Sequence, residues 1–148
     1  MSFTLTRAPT ALAFQVLQGT QVVAAPAVTP VLGPQTLTWD GFLADGSRAP
    51  DGAYTLALSI TDDVTMFTRT ATLTLDTTAP VITVLSYRNL RFRVSEPATL
   101  TLIVGTRRYT RVLKAAATTQ FWLRTRPFAY RVVATDAAGN TATVRYHR

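Results

Sequence analysis

Apolar and polar residues alternate along most of this chain. "FTLTR" sets Phe3 and Leu5 against threonines, and after a turn at Pro9 come "ALAFQVLQGTQVV", "TLTW", a polar loop, "AYTLALSITDD" and "RTATLTL". Successive side chains on a strand point to opposite faces, so a period of two marks strands with one buried face. The second half repeats the order: "LRFRV", a proline turn, "ATLTLIV", a glycine turn, "RRYTRVL", "FWLRTR", "AYRVVATD" and "TATVRYH". Tyr54 and Tyr130 each open a strand that runs to an aspartate, Asp62 or Asp136, at a hairpin turn. Only "KAAATT", from Lys114, has helical composition, and it is too short to stand alone. The pattern predicts an all-β chain: two tandem halves of about six or seven antiparallel strands, each closing its core between two sheets or into a barrel.

The joint falls at "DTTAP", residues 76–80, between two alternating runs. Pro80 fixes its own φ and pushes Ala79 toward extended geometry. The predicted domains are residues 1–79 and 80–148, held end to end by a short, extended connection.

Composition agrees with this reading. Valine, isoleucine and threonine number 14, 3 and 27, and β-branched side chains favour pleated sheets over helices. Hydrophobic residues at 47% suffice for a core. The absence of cysteine removes disulfides, thiolate metal sites and cysteine nucleophiles. No run approaches the roughly 18–20 apolar residues of a membrane-spanning helix, so no membrane insertion is expected. The first residues lack the basic segment and apolar run of a signal peptide. That points to a segment of a longer protein.

"WDGFLADGSRAPDGAY", residues 39–54, poses a choice between a calcium loop and a turn. Calcium loops of the helix–loop–helix kind place oxygen ligands at alternate positions and end in a bidentate glutamate. Asp40, Asp45 and Asp51 are five and six residues apart, with no glutamate nearby. Asp45-Gly46 and Asp51-Gly52 are turn dipeptides, and Pro50 presets the second turn. Trp39 and Tyr54 are then expected to face the core from adjacent strands.

The stretch Trp39-Asp40-Gly41 through Pro50-Asp51-Gly52-Ala53-Tyr54 resembles the signature of the Ig-like domain of the flagellar hook-capping protein, also found in many bacterial secreted and surface proteins. The similarity extends upstream through "FQVLQGTQVVAAP" and covers most of residues 1–75. "SEPATLTLIV" and "YRVVATDAAGNTATV" are similar to bacterial Ig-like and fibronectin-type modules, which often end in Asp-x-Ala-Gly-Asn, here Asp136 to Gly139 and Asn140. The resemblance implies two tandem Ig-like β-sandwich domains with a spacer, stalk or adhesion role in a long extracellular polypeptide. The unstructured N-terminal part and assembly region of the hook-capping protein are missing from this sequence, so flagellar assembly is not implied.

Candidate chemistry is sparse. His147 is the only histidine and lies one residue from the end of the sequence, a poor base for a catalytic triad. One histidine and no cysteine leave little for zinc. Asp62 and Asp63 are neighbours, and on a strand they would point apart. An intramolecular isopeptide bond would need Lys114, Asn140 or Asn89, and Glu96 or Asp136; Lys114 borders a polar loop and Asn140 sits in a turn, which argues against it. A weak calcium site at the joint would draw on Asp76 with Asp62, Asp63 or Asp136, without the dense run of acids such sites usually have. Neither catalysis, a cofactor nor a metal is expected.

Charge is the remaining signal. Residues 1–79 carry three arginines against six aspartates, −3; residues 80–148 carry eleven arginines and Lys114 against Glu96 and Asp136, +10. Alternation sends Arg91 and Arg93 outward opposite Phe92 and Val94. It sends Trp122, Arg124 and Arg126 outward opposite Phe121 and Leu123, and Arg131 outward opposite Tyr130 and Val132. If these strands share one sheet, its outer face carries five arginines around an exposed tryptophan. Guanidinium forks suit carboxylate, sulfate or phosphate, and an indole stacks on a sugar or base. The plainer alternative is a solubilising surface.

The expected function is a non-catalytic spacer or interaction segment of a larger secreted or cell-surface bacterial protein. Its partners would be neighbouring domains or other surface proteins. The alternative is an accessory module that binds an acidic polysaccharide or other polyanion through its second half.

Overall fold

A computed structural model describes all 148 residues and contains thirteen strands and no helix. The chain divides into two compact units, Met1–Leu75 and Asp76–Arg148. Residues 76–80 side with the second unit for a visible reason. The Asp76 carbonyl accepts a hydrogen bond from Asn140 Nδ2 at 3.0 Å, and Pro80 is buried.

The first unit contains β1 (Ser2–Leu5), β2 (Ala11–Gln18), β3 (Gln21–Ala24), β4 (Gly33–Thr36), β5 (Gly52–Thr61) and β6 (Met66–Leu75). β1 pairs with β4, and the others form an antiparallel sheet in the order β3-β2-β5-β6. Alternation sets the buried face: Phe14 and Val16 from β2 meet Tyr54 and Leu56 from β5, with Ala24 and Ala49. β6 is an edge strand, and residues 66–72 are exposed along it.

The second unit contains β7 (Ile82–Ser86), β8 (Arg91–Val94), β9 (Ala98–Val104), β10 (Arg107–Leu113), β11 (Ala117–Gln120), β12 (Ala129–Thr135) and β13 (Thr141–His147). One antiparallel sheet runs β11-β8-β7 and the other β10-β9-β12-β13. Phe92 and Val94 of the first pack against Leu100, Leu102, Val132 and Ala134 of the second, all buried. Two sheets enclosing one core make this unit a β-sandwich.

The repeat read from the sequence recurs in the topology. In each unit a hairpin's first strand lies beside the next hairpin's first strand: β2-β3 with β5-β6, and β9-β10 with β12-β13. β1-β4 corresponds in turn to β8-β11, with β7 as the second unit's additional strand. Tyr54 and Tyr130 hold equivalent places on β5 and β12, and both are buried.

Residues 39–48 turn at Asp40 and Asp45, whereas Gly52, expected in a second turn after Pro50, is already the first residue of β5. Asp40 Oδ1 accepts the Phe42 amide at 3.1 Å, and Asp45 Oδ1 accepts the Ser47 amide at 2.9 Å and its hydroxyl at 2.6 Å. These are aspartate-capped turns of the kind the Asp-Gly pairs imply. Gly41 (φ 83°) and Gly46 (φ 81°) take the left-handed conformation that β-carbon sterics disfavour. Trp39 does reach Tyr54, its ring centroid 4.8 Å away, but not from a strand, because β4 ends at Thr36. The indole N–H bonds the Phe42 carbonyl at 2.8 Å, tying Trp39 to the loop instead.

The second departure is "FWLRTR". β11 belongs to one sheet of the second unit and β12 to the other, so residues 121–128 carry the chain between sheets and join neither ladder. The predicted facing survives locally: Phe121 is buried and Trp122 is 79% exposed.

Candidate functional site

The structure distributes the expected arginine platform over three places. Arg91 and Arg93 point outward from β8, on the three-stranded sheet. Arg131 points outward from β12, on the other sheet. Trp122, Arg124 and Arg126 lie on the connection between sheets. A single face carrying all six is therefore corrected: the two sheets of a sandwich turn their outer faces in opposite directions.

Register gives Arg131 other neighbours. It pairs across β12–β13 with Arg145 and across β12–β9 with Ile103, which itself pairs with Arg108 of β10. Paired residues share a face, so Arg108, Arg131 and Arg145 form an exposed row interrupted by Ile103. Arg131 and Arg145 stand directly opposite each other, a like-charge pairing that disfavours the folded sheet.

One end of the sandwich gathers more. A cleft of about 340 Å³ is lined by Tyr87, Arg88, Arg126, Pro127, Tyr146 and Arg148. A second, about 180 Å³, shares Arg88 and Arg126 and continues past Leu90 and Phe121 to Trp122. No aspartate or glutamate side chain lines either. Arg88 and Arg126 make no ion pair.

The walls are held from within. Aromatic rings run outward from the core: Phe121 to Phe92 (6.3 Å between centroids), Phe92 to Tyr130 (6.2 Å), Tyr130 to Tyr146 (5.1 Å) and Tyr146 to Tyr87 (5.0 Å). The Tyr130 hydroxyl donates to the Tyr87 carbonyl at 3.2 Å. Burial, then the neighbouring Tyr146 and Tyr87 phenols, push its pKa up to about 12, which keeps that donor protonated. The turn bearing Arg88 is fixed at Leu90, whose φ of 51° is left-handed and unusual outside glycine. Leu90 is held by its own burial and by the Phe121 amide, which donates to its carbonyl at 3.1 Å.

The remaining candidates fall elsewhere. His147 is exposed, its ring edge-on to Phe128 at 4.7 Å. Asp62 pairs with Arg7, and Asp63 accepts the Thr10 hydroxyl at 2.7 Å. Of the acids considered for the joint, Asp76 and Asp136 meet Glu96, with carboxylate oxygens within 4.8 Å of one another. Both Asp136 oxygens are already engaged by Asn140, at 2.8 Å from its backbone N–H and 2.9 Å from its side-chain amide. That bonding, with the further bond to Asp76, spends the Asn140 amide on the hairpin.

Burial by itself would raise the Asp136 carboxyl. The hydrogen bonds from Asn140, Gly139 and Ala138 outweigh it and hold the group below the ordinary 3.8. A depressed folded value stabilises the fold above the unfolded value, and that share is lost as pH falls through the folded one. The second unit's melting temperature is therefore expected to drop below about pH 4. Asp136→Asn should flatten that acid limb, as read by thermal melts across pH.

Scanned against protein-family models and against curated proteins, the chain matches none.

Proposed function

We propose that the chain is a non-catalytic spacer and interaction segment, two Ig-like modules in tandem, within a larger secreted or cell-surface bacterial protein. The observation that carries this reading is the pair of separate cores, each closed by its own strands. Modules that bury their own cores can be strung along a polypeptide without depending on a particular neighbour. The sequence signature at residues 39–54 points the same way. An antibody raised against the segment is expected to label intact cells of the producing bacterium. Labelling that appears only after lysis would overturn the reading.

A second reading, binding of an acidic polysaccharide or other polyanion, is favoured by one specific observation. Two adjoining clefts of the second unit present arginines without any acidic side chain in their walls. A merely solubilising surface has no need to gather its cations around clefts and aromatic rings.

A further inference from the structure

Resting on that second reading, we infer that the anion-recognition site of the second unit is the paired cleft around Arg88 and Arg126, and that its ligand is an acidic polysaccharide. The sheet faces that carry the other arginines are not the site. Arg88 and Arg126 form the wall common to both clefts, so they grip the same anionic group, a carboxylate or sulfate ester, through guanidinium hydrogen bonds. The sugar rings on either side lie in the two clefts. One is walled by Tyr87 and Tyr146, the other ends at Trp122.

Three observations separate this place from the outer faces. The two clefts are more enclosed than the wide, shallow depression of about 600 Å³ that Arg131 and Arg145 line on their sheet, and Arg91, Arg93 and Arg108 project from exposed strand positions. The walls are preorganised: Leu90 is fixed in a left-handed turn, and Tyr87 is held by the Tyr130 hydroxyl and stacked on Tyr146. Ordering paid for in folding need not be supplied again on binding. Finally, Trp122 is 79% exposed although large aromatic side chains usually lie against the core, and it sits where the second cleft opens.

A polysaccharide fits better than a nucleic acid. A nucleic acid carries a phosphate at every step and needs a groove of cations that tracks its backbone. Beyond the shared wall of Arg88 and Arg126, the second cleft is lined only by neutral side chains, which suits a chain whose anionic groups are more sparsely placed.

The test uses the full chain and three double variants that each remove two positive charges. These are Arg88→Ala with Arg126→Ala, Arg91→Ala with Arg93→Ala, and Arg131→Ala with Arg145→Ala. Binding to polygalacturonate, dextran sulfate, neutral dextran and single-stranded DNA is measured by calorimetry at near-physiological salt, after thermal melts confirm that each variant is folded. The cleft pair should weaken glycan binding by roughly tenfold or more, and the two face pairs by much less. Trp122→Ala, which changes no charge, should weaken it as well. Preference for polygalacturonate assigns the anionic group as a carboxylate, and preference for dextran sulfate as a sulfate ester.

Equal losses in all three double variants would mean charge alone and overturn the cleft assignment while leaving polyanion binding standing. Tighter binding of the DNA than of either acidic glycan would overturn the ligand class. No binding to any anionic probe would instead remove the second reading itself.

Discussion

Phe92→Ala should cost the second unit about 3–5 kcal/mol and leave the first unit's unfolding transition where it is. Phe92 is fully buried at the centre of the second core, with Phe121 and Tyr130 packed edge-on at 6.3 and 6.2 Å. Truncation removes the transfer free energy of the ring and leaves a void between two sheets that cannot close together without breaking their ladders. A unit of this size is stable by only roughly 4–11 kcal/mol, so the loss is a large share of the total. The aromatic run from Phe121 to Tyr87 passes through this ring, so the clefts should loosen with it. Chemical denaturation followed by far-ultraviolet circular dichroism for the whole chain, and by the fluorescence of Trp39 packed on Tyr54 for the first unit, distinguishes the two transitions.

Tyr54→Ala is the mirror experiment. The side chain is 1% exposed, its ring meets Trp39 at 4.8 Å, and its hydroxyl donates to the Pro50 carbonyl at 2.6 Å. Truncation should remove about 3–5 kcal/mol from the first unit alone. Tyr54→Phe keeps the ring and loses only the hydrogen bond, for a cost of about 1–2 kcal/mol. The difference between the two variants reports what ring packing contributes to closing the loop of residues 39–54 onto β5. If Tyr54→Ala also shifted the second transition, the units would not be independent.

Much of the fold is legible in the sequence because its physical cause is local. A period of two states which side of a strand is buried, and Phe14, Val16, Tyr54, Leu56, Phe92, Leu100 and Val132 all lie inside as alternation requires. The turns at Asp40 and Asp45 are legible for the same reason, since aspartate and glycine act on their own backbone. "FWLRTR" shows the limit. It alternates like a strand, and Phe121 and Trp122 face as alternation predicts, but whether a ladder exists depends on the sheet each flanking strand joins.

The candidate site is harder to read for a related reason. Trp122 and Arg126 could be nominated from composition and facing, but Arg88 could not, because it sits in a turn held by Tyr130 and Phe121 from distant parts of the chain, which bond the Tyr87 and Leu90 carbonyls. The row formed by Arg108, Arg131 and Arg145 likewise exists only through the pairings of β9, β10, β12 and β13. Register and the joining of turns are non-local, and a single sequence encodes them without displaying them.

The central claim is that this chain is two self-sufficient modules, and scanning calorimetry of residues 1–75, residues 76–148 and the whole chain tests it most directly. Each piece should unfold in one cooperative transition, and the two together should reproduce the heat absorbed by the intact chain. Pieces that fail to fold alone, or an intact chain that melts as one indivisible unit, would contradict the account.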